Sequence, residues 1–400
     1  MHRGWVRAWG LATAILTGAT YYSSATVTHG FVAYYAAARL LTDGALGPSA
    51  YDDAWFGAYV QQLTGTSIRE IFTPNPPTMA LMALPIALLD HGAARAVWLA
   101  GSVALFAAAV FALARERARE GPVSIAALLL AMLAPAVFTN IRIGQGYLIV
   151  FALMAAAVLW IPRQPAAAKA IALHFAGGAA LGLALGLKLS GTPLVLLLAV
   201  QQRWRAIVAA AGIAMALALA ITPFIDPAMW WRHPAVVGAF VQRPSGSVTA
   251  YQTTLSLFRR LCVSDPVWNP APAASCEPIA FAIPYMLIGA AALITAGLAY
   301  RSGRTRPALA AGVVLTLLAQ PAAAEVHFVL LGIPLLMLPL GPIRLAVLAF
   351  LLMVPLELTA ERFTAGWPVL LAYPRLYAAW LLWAACLRQL ITSSLQPKAS

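Results

Sequence analysis

Ala206-Ile-Val-Ala-Ala-Ala-Gly-Ile-Ala-Met-Ala-Leu-Ala-Leu-Ala-Ile-Thr-Pro-Phe-Ile225 runs for twenty residues without a charge. At about 1.5 Å of rise per residue, a helix of that length crosses the roughly 30 Å hydrocarbon core of a bilayer. The run is continuous and does not alternate with period two, so it is no strand of a membrane barrel. Working outward, further apolar stretches lie near 5–27, 92–114, 121–139, 147–162, 170–187, 191–200, 279–300, 307–323, 326–340, 343–358 and 367–387. That gives twelve spans, with 77–89 dipping into the membrane as a re-entrant stretch. The composition agrees: 62% of the 400 residues are hydrophobic and 10% are charged, against about 25% charged in a soluble chain. The sequence predicts an all-α integral membrane protein, residues 1–400 forming a single domain.

The chain carries 26 basic and 13 acidic residues, a net charge of +13. Their distribution decides what the excess means. With the N-terminus in the cytoplasm, Arg3, Arg7, Arg115, Arg117, Arg119, Arg163, Lys169, Arg203, Arg205, Arg301, Arg304, Arg306, Arg344, Arg388 and Lys398 fall inside, beside Glu116 and Glu120. The outside is balanced. An excess confined to one face is the positive-inside pattern of a bacterial inner (cytoplasmic) membrane protein, here with both termini cytoplasmic. Nucleic acid is not implied. The pattern keeps its sign only if the first span is counted, which makes that span an uncleaved signal-anchor rather than a removed leader. Cys386 falls in the last helix; Cys262 and Cys276 fall outside, where they either pair or remain two thiols.

Two outer connections, 28–76 and 226–278, are too long for simple turns, and long loops in compact bodies carry function. The first begins Phe31-Val-Ala-Tyr34-Tyr35-Ala-Ala-Ala-Arg39-Leu-Leu41, whose spacing predicts an interfacial amphipathic helix. Asp52 or Asp53 can cap a following short helix. The loop closes on Phe72-Thr-Pro74-Asn75-Pro76-Pro77.

Ionisable groups at the membrane edge are costly and mark functional sites. The outer edge collects Asp43, Asp52, Asp53, Arg142, Lys188, Glu325 and His327, with Gln145 and Gln252 as neutral partners. Arg142 lies in Asn140-Ile-Arg142-Ile-Gly144-Gln145-Gly146, where glycines let backbone approach a ligand and the guanidinium offers a fork for phosphate. Taken singly, an interfacial arginine, a snorkelling lysine at Lys188 and a structural histidine at His327 are the plainer readings. Their shared location makes a site with a preference for anions. No zinc-type spacing, P-loop, GxSxG elbow, Rossmann fingerprint or Asp-x-Asp pair is present, so no metal is expected.

The ordered set Phe31-Val-Ala-Tyr34-Tyr35, Tyr51-Asp52, Phe72-Thr-Pro-Asn-Pro76-Pro77, Leu84-Pro85, Ala96-Val-Trp98, Gly144-Gln145, Gly182-Leu-Ala-Leu-Gly186-Leu-Lys188, Gln252-Thr-Thr-Leu and His327-Phe resembles glycosyltransferase family 87 along almost the whole chain. These are polyprenol-linked enzymes of the C-type membrane superfamily. The resemblance implies a C-type bundle whose active side is periplasmic. It also implies inverting transfer of a hexose, mannose above all, from a polyprenyl-phosphate donor to an acceptor hydroxyl. The acceptor would be a glycolipid or polysaccharide, the donor is the substrate, and no further cofactor is needed. Arg142, Gln145 and Lys188 would face the donor phosphate, His327 the phosphate or the acceptor, and Tyr34, Tyr35, Gln252 and Glu325 the substrates. The enzyme would work as a monomer among membrane lipids.

The sequence departs from that family at one telling place. Relatives carry an acidic residue, the expected catalytic base, directly before the Phe of Phe-x-x-Tyr-Tyr; this chain has Gly30, preceded by His29. Three readings remain open. His29 takes the role, one of Asp43, Asp52 and Asp53 folds in, or the chain is a silent lipid-binding homologue. A polyprenol-lipid flippase is the competing class and predicts inverted repeats.

Overall fold

The computed structural model describes residues 3–117, 122–161, 168–189 and 191–394. In chain order the helices are α1 (Arg3–Ser24), α2 (Phe31–Thr42), α3 (Asp53–Thr64), α4 (Met79–Ala83), α5 (His91–Arg117), α6 (Pro122–Leu133), α7 (Pro135–Ile143), α8 (Tyr147–Trp160), α9 (Ala168–Lys188) and α10 (Thr192–Val200). They continue as α11 (Trp204–Ile221), α12 (Ala228–Gln242), α13 (Thr254–Cys262), α14 (Glu277–Ser302), α15 (Thr305–Ala319), α16 (Gly332–Met337), α17 (Pro342–Met353), α18 (Leu356–Thr359) and α19 (Pro374–Ser394). Among the described residues there is no β-strand, only an isolated bridge between Asp265 and Asn269.

Among the described residues, five segments are long and apolar enough to cross a membrane: His91–Glu116, Val123–Ile143, Ala170–Lys188, Trp204–Phe224 and Glu277–Ser302. The protein is therefore an all-helical membrane protein. The twelve expected spans are not all matched by helices of crossing length. Nine-residue α10 reaches only about 14 Å. It serves as a short return that lets α9 and α11 run parallel, side by side. Glycines make that pairing possible. A Cβ on Gly178 would stand 2.3 Å from the Ala206 carbonyl oxygen, and one on Gly182 would stand 2.4 Å from that of Ala210. This small-xxx-small stripe lets the two backbones meet and fixes the end of α9, where Lys188 sits.

The connection 354–373 also differs from expectation. The apolar stretches 343–358 and 367–387 are each expected to cross. Instead α17 stops at Met353, and α18 and a 3₁₀ turn (Trp367–Ala372) intervene before α19. Pro355, Pro368 and Pro374 punctuate this stretch, each withholding a backbone donor.

α2 is not the amphipathic surface helix its spacing suggested. Ten of its twelve residues are buried, because α3, α4 and the 3₁₀ turn Leu84–Ile86 close over it in a second apolar core. Ala33, Ala36, Ala37 and Ala38 are small enough to admit neighbours on every face. The stretch 77–89 packs on this helix as two short turns. In the second loop Cys262 and Cys276 are joined as a disulfide. Arg259 reaches the carbonyls of Val241 and Arg243, while Arg260 reaches that of Thr364. Arg243 then pairs with Asp53 at 2.9 Å and ties the second loop to the first.

Candidate active site

Gly30 precedes α2 with φ +89°, a conformation that L side chains rarely adopt. A Cβ there would lie 2.5 Å from the Ile143 carbonyl oxygen, and one on Gly144 would lie 2.6 Å from the Phe31 Cβ. The two glycines let the start of α2 press against the end of α7. Arg95, fully buried, locks the arrangement. Its guanidinium donates to the Ser23 carbonyl at 3.0 Å, the Thr28 hydroxyl at 2.7 Å and the Arg142 carbonyl at 2.6 Å.

The carboxylate absent from position 30 arrives from elsewhere. Glu70, on the irregular run after α3, accepts the Gly30 N–H at 2.6 Å through Oε2 and the Ile71 N–H at 3.0 Å through Oε1. His29 Nδ1 lies 3.4 Å from the same Oε2, and the Glu70 side chain keeps 16% of its surface exposed. An anion accepting backbone N–H at a helix start is well placed.

Glu70 lies within electrostatic reach of Tyr34 and Lys188. Lys188 Nζ donates to Asn75 Oδ1 at 2.7 Å and stands 4.7 Å from the Tyr34 ring and 5.4 Å from the Tyr147 ring, in cation–π range. Tyr34 donates its hydroxyl to Gln145 Oε1. The Tyr147 ring is 4.3 Å from that of His327. His327 Nδ1 meets the Ala324 carbonyl at 3.1 Å. A carbonyl can only accept, so Nδ1 carries a proton, and in the neutral ring Nε2 keeps its lone pair. Lys188 is close enough to act on this ring. Asn75 is itself braced, because Tyr51 donates to its carbonyl at 3.1 Å. Tyr51 packs between Phe72 and His233, and burial pushes its phenol well up, so it remains a donor. Among the described residues no three His, Cys, Asp or Glu side chains gather as a metal site would require.

Of the residues singled out in the sequence, His29 meets Glu70 directly, and Tyr34, Gln145, Lys188 and His327 form a linked cluster beside it. The others lie elsewhere. Tyr35, one residue on from Tyr34 and so about 100° around the helix, donates to the Leu89 carbonyl at 2.8 Å. Asp52 caps α3 by accepting from Ala54 and Trp55. Asp53 accepts from Thr73 at 2.6 Å and pairs with Arg243. Asp43 is an exposed residue ending α2. Gln252 and Glu325 converge on Arg375 instead. Arg375 is 1% exposed, its Nε is 3.0 Å from Glu325 Oε1, and its N–H donates to Gln252 Oε1. The Gln252 amide nitrogen donates to the carbonyls of Thr249 and Ala372, so its side chain is taken up inside the protein. Arg142 turns its side chain to the surface. Glu70 went unread in the sequence, although it is the only acidic residue between Asp53 and Asp90 and stands two residues before the Phe-Thr-Pro-Asn-Pro run.

Fold and site together define a polytopic helical membrane protein with a carboxylate, an ammonium and an imidazole gathered near one end of its bundle. The chain matches the family model of glycosyltransferase family 87 over residues 72–321, more than half its length, and belongs to that family of membrane glycosyltransferases. The match takes in Gln145 and Lys188 and stops short of Glu70 and His327. No curated protein and no solved structure matches the chain.

Proposed function

We propose that the protein transfers a hexose, mannose in the first instance, from a polyprenyl-phosphate carrier to an acceptor hydroxyl with inversion, and that Glu70 is the base. The observation that carries this is the Glu70 carboxylate on the Gly30 N–H, within reach of Lys188. Glu70 takes the acceptor's proton while that oxygen bonds to the anomeric carbon. The bond from that carbon to the phosphate oxygen breaks, and the polyprenyl phosphate leaves toward Lys188. A fixed cation aimed at developing charge is worth most where water is excluded. His327, with its Nε2 lone pair free to accept, orients a sugar or acceptor hydroxyl. The silent-homologue reading drew its support from Gly30, and Glu70 removes that motive.

In this reading the chain is one integral domain of the bacterial inner membrane, acting as a monomer without a further cofactor. Both termini are cytoplasmic and the site is periplasmic. Twelve passes result if α1, α8, α10, α15, α16, α17 and α19 are counted with the five long segments. The ion pair of Arg306 with Glu116 at 2.8 Å supports placing those two cytoplasmic ends together, and the disulfide supports an oxidising outer face.

The test is transfer from synthetic polyprenyl-phosphate mannose to a total lipid extract by purified protein. Glu70→Gln is expected to lose about 10²–10⁴ of the rate, the usual share of a general base, with unchanged melting. Near-normal turnover by Glu70→Gln, with loss in His29→Ala, would move the base to His29.

A further inference from the structure

His327 reaches the site on a segment with little of its own to hold it in place. α15 ends at Ala319, and Gln320-Pro-Ala-Ala-Ala324 follows as irregular backbone before the 3₁₀ turn Glu325–Leu331. Three alanines offer no side chain that could fix the approach, so the fixing comes from neighbours. Each of the four residues before His327 is tied. The Ala323 carbonyl accepts the Gln252 backbone N–H at 2.9 Å. The Ala324 carbonyl accepts the His327 N–H at 3.0 Å and faces Nδ1 at 3.1 Å. The Glu325 carboxylate accepts from Arg375 Nε, and the Val326 carbonyl accepts from Asn140 Nδ2 at 2.8 Å.

Arg375 anchors two of these ties. It follows Pro374 in the first turn of α19, where N–H groups lack intrahelical partners. Its own N–H donates to Gln252 Oε1 at 3.2 Å, so Gln252 caps α19 with its side chain while its main chain holds Ala323. From the same residue Nε reaches both Glu325 oxygens, at 3.0 and 3.1 Å, and Nη1 donates to the Leu351 carbonyl in α17. Arg375 is 1% exposed and the space beside it is about 10 Å³, room for one water and not for a sugar ring. It is closed to substrates. A buried ion pair adds little net stability over packed apolar side chains. Its bonds have fixed directions, however, and here they set the path of the backbone that carries His327.

We infer that Arg375 is a positioning residue for the transfer, acting through Glu325 and Gln252 on the Ala324 carbonyl, which in turn fixes the His327 ring. The inference rests on the role proposed above for His327. Ala324 lies between Ala323 and Glu325, the two residues that Arg375 and Gln252 hold, so the direction of its carbonyl follows theirs. With that oxygen on Nδ1, the neutral ring is the tautomer whose Nε2 accepts from a hydroxyl. The Tyr147 ring at 4.3 Å backs the imidazole. Once the carbonyl swings away, either nitrogen can carry the proton, and a substrate hydroxyl meets a donor where it needs an acceptor. Gln252 and Glu325, which the family resemblance sets beside the substrates, thus act on them at one remove.

The test separates position from stability. Replacing Arg375 alone leaves Glu325 buried without a partner, a change costly enough to unfold the chain. The informative variant is the pair Glu325→Leu with Arg375→Met, which removes both charges and keeps apolar bulk. It should melt close to wild type, with kcat lowered about 10–10²-fold, as small misplacements near chemistry do. The acceptor KM should stay within about threefold, since substrate binding is untouched. Glu325→Gln keeps an acceptor for Nε and should hold kcat within about threefold of wild type. Added to His327→Gln, the pair should lower kcat no further, because both changes act on one ring. A second readout needs no turnover: the imidazole nitrogen resonances of isotope-labelled protein in liposomes, with His327 assigned by its loss in His327→Gln. They should show protonated Nδ1 in wild type and in Glu325→Gln, and a mixture of tautomers in the pair. Arg375→Lys keeps the charge but loses the planar fork; it should fall between the two in both readouts, and it decides the matter if the pair does not fold. Wild-type kcat in the pair, losses that multiply with His327→Gln, or an unchanged tautomer would each overturn the assignment. An inactive wild type whose His327 tautomer still depends on Arg375 would sink the proposed transfer and leave the positioning standing.

Discussion

Replacing Gly30 by Asp puts the acidic residue of the family back where relatives carry it, and here it should damage the protein. The backbone at Gly30 has φ +89° and ψ −85°, outside even the left-handed well that Asp and Asn tolerate, and such strain costs about 1–3 kcal/mol. The new Cβ would stand 2.5 Å from the Ile143 carbonyl oxygen and 3.1 Å from Gln145 Nε2. Relieving that overlap moves backbone, at about 1–3 kcal/mol more. The sum, about 2–6 kcal/mol, is a large part of an ordinary folding free energy of about 5–15 kcal/mol. The assay is thermal unfolding in detergent alongside mannosyl transfer. At roughly 2 °C per kcal/mol for a large domain, Gly30→Asp should melt at least about 4 °C lower and lose activity. Gly30→Ala, which adds the Cβ and no charge, should lose nearly as much stability. A Gly30→Asp protein that melts like wild type and transfers sugar with Glu70 changed to Gln would refute the reasoning. Residue 30 would then be the native place of the base and Glu70 a bystander.

Two further outcomes follow from the same geometry. Gly182→Leu should cost about 1–3 kcal/mol or more by forcing α9 from α11 and should lower transfer by moving Lys188. Gly212→Ala, on the open face of α11 where a Cβ meets nothing within 4 Å, should stay within about 0.5 kcal/mol of wild type; equal melting of the two variants would discredit the glycine stripe. Asp53→Asn should cost at most about 1 kcal/mol, because the Asp53 and Arg243 side chains are 30% and 44% exposed. Its transfer rate should stay within about fivefold, and a loss above about a hundredfold would bring Asp53 into the chemistry.

What the sequence showed and what it hid divide along a physical line. The membrane class was legible because apolar runs and one-sided charge are local sums over many residues. Lys188, Gln145 and His327 were legible as polar groups at one edge, where each is costly unless used, and Tyr34 came only with the family resemblance. Span count was less legible: α10 is apolar over its length, yet its nine helical residues are short of a full crossing on their own. The burial of α2 was hidden because its alanines fit a surface or a core equally well until its neighbours are known. Asp52 and Asp53 looked alike in sequence. Only the turn geometry makes one the cap of α3 and the other a tie to Arg243.

Glu70 was hidden for a deeper reason. A site group is defined by where its atoms end up, and Glu70 meets the Gly30 N–H across forty positions of sequence that include α2 and α3. The chain carries that separation at low entropic cost, because loop closure grows only logarithmically with length. The Phe72-Thr-Pro-Asn-Pro run and the Tyr51 bond to Asn75 also stiffen the approach. Once a carboxylate reaches the Gly30 N–H from outside, position 30 is free of the need for a side chain. It can then adopt the positive φ that packs α2 against Ile143. The glycine and the distant glutamate are thus two halves of one arrangement, since the backbone that accommodates Glu70 excludes an acid at position 30. Read alone, Gly30 is a missing base. With Glu70 it is the condition for a carboxylate delivered by the loop.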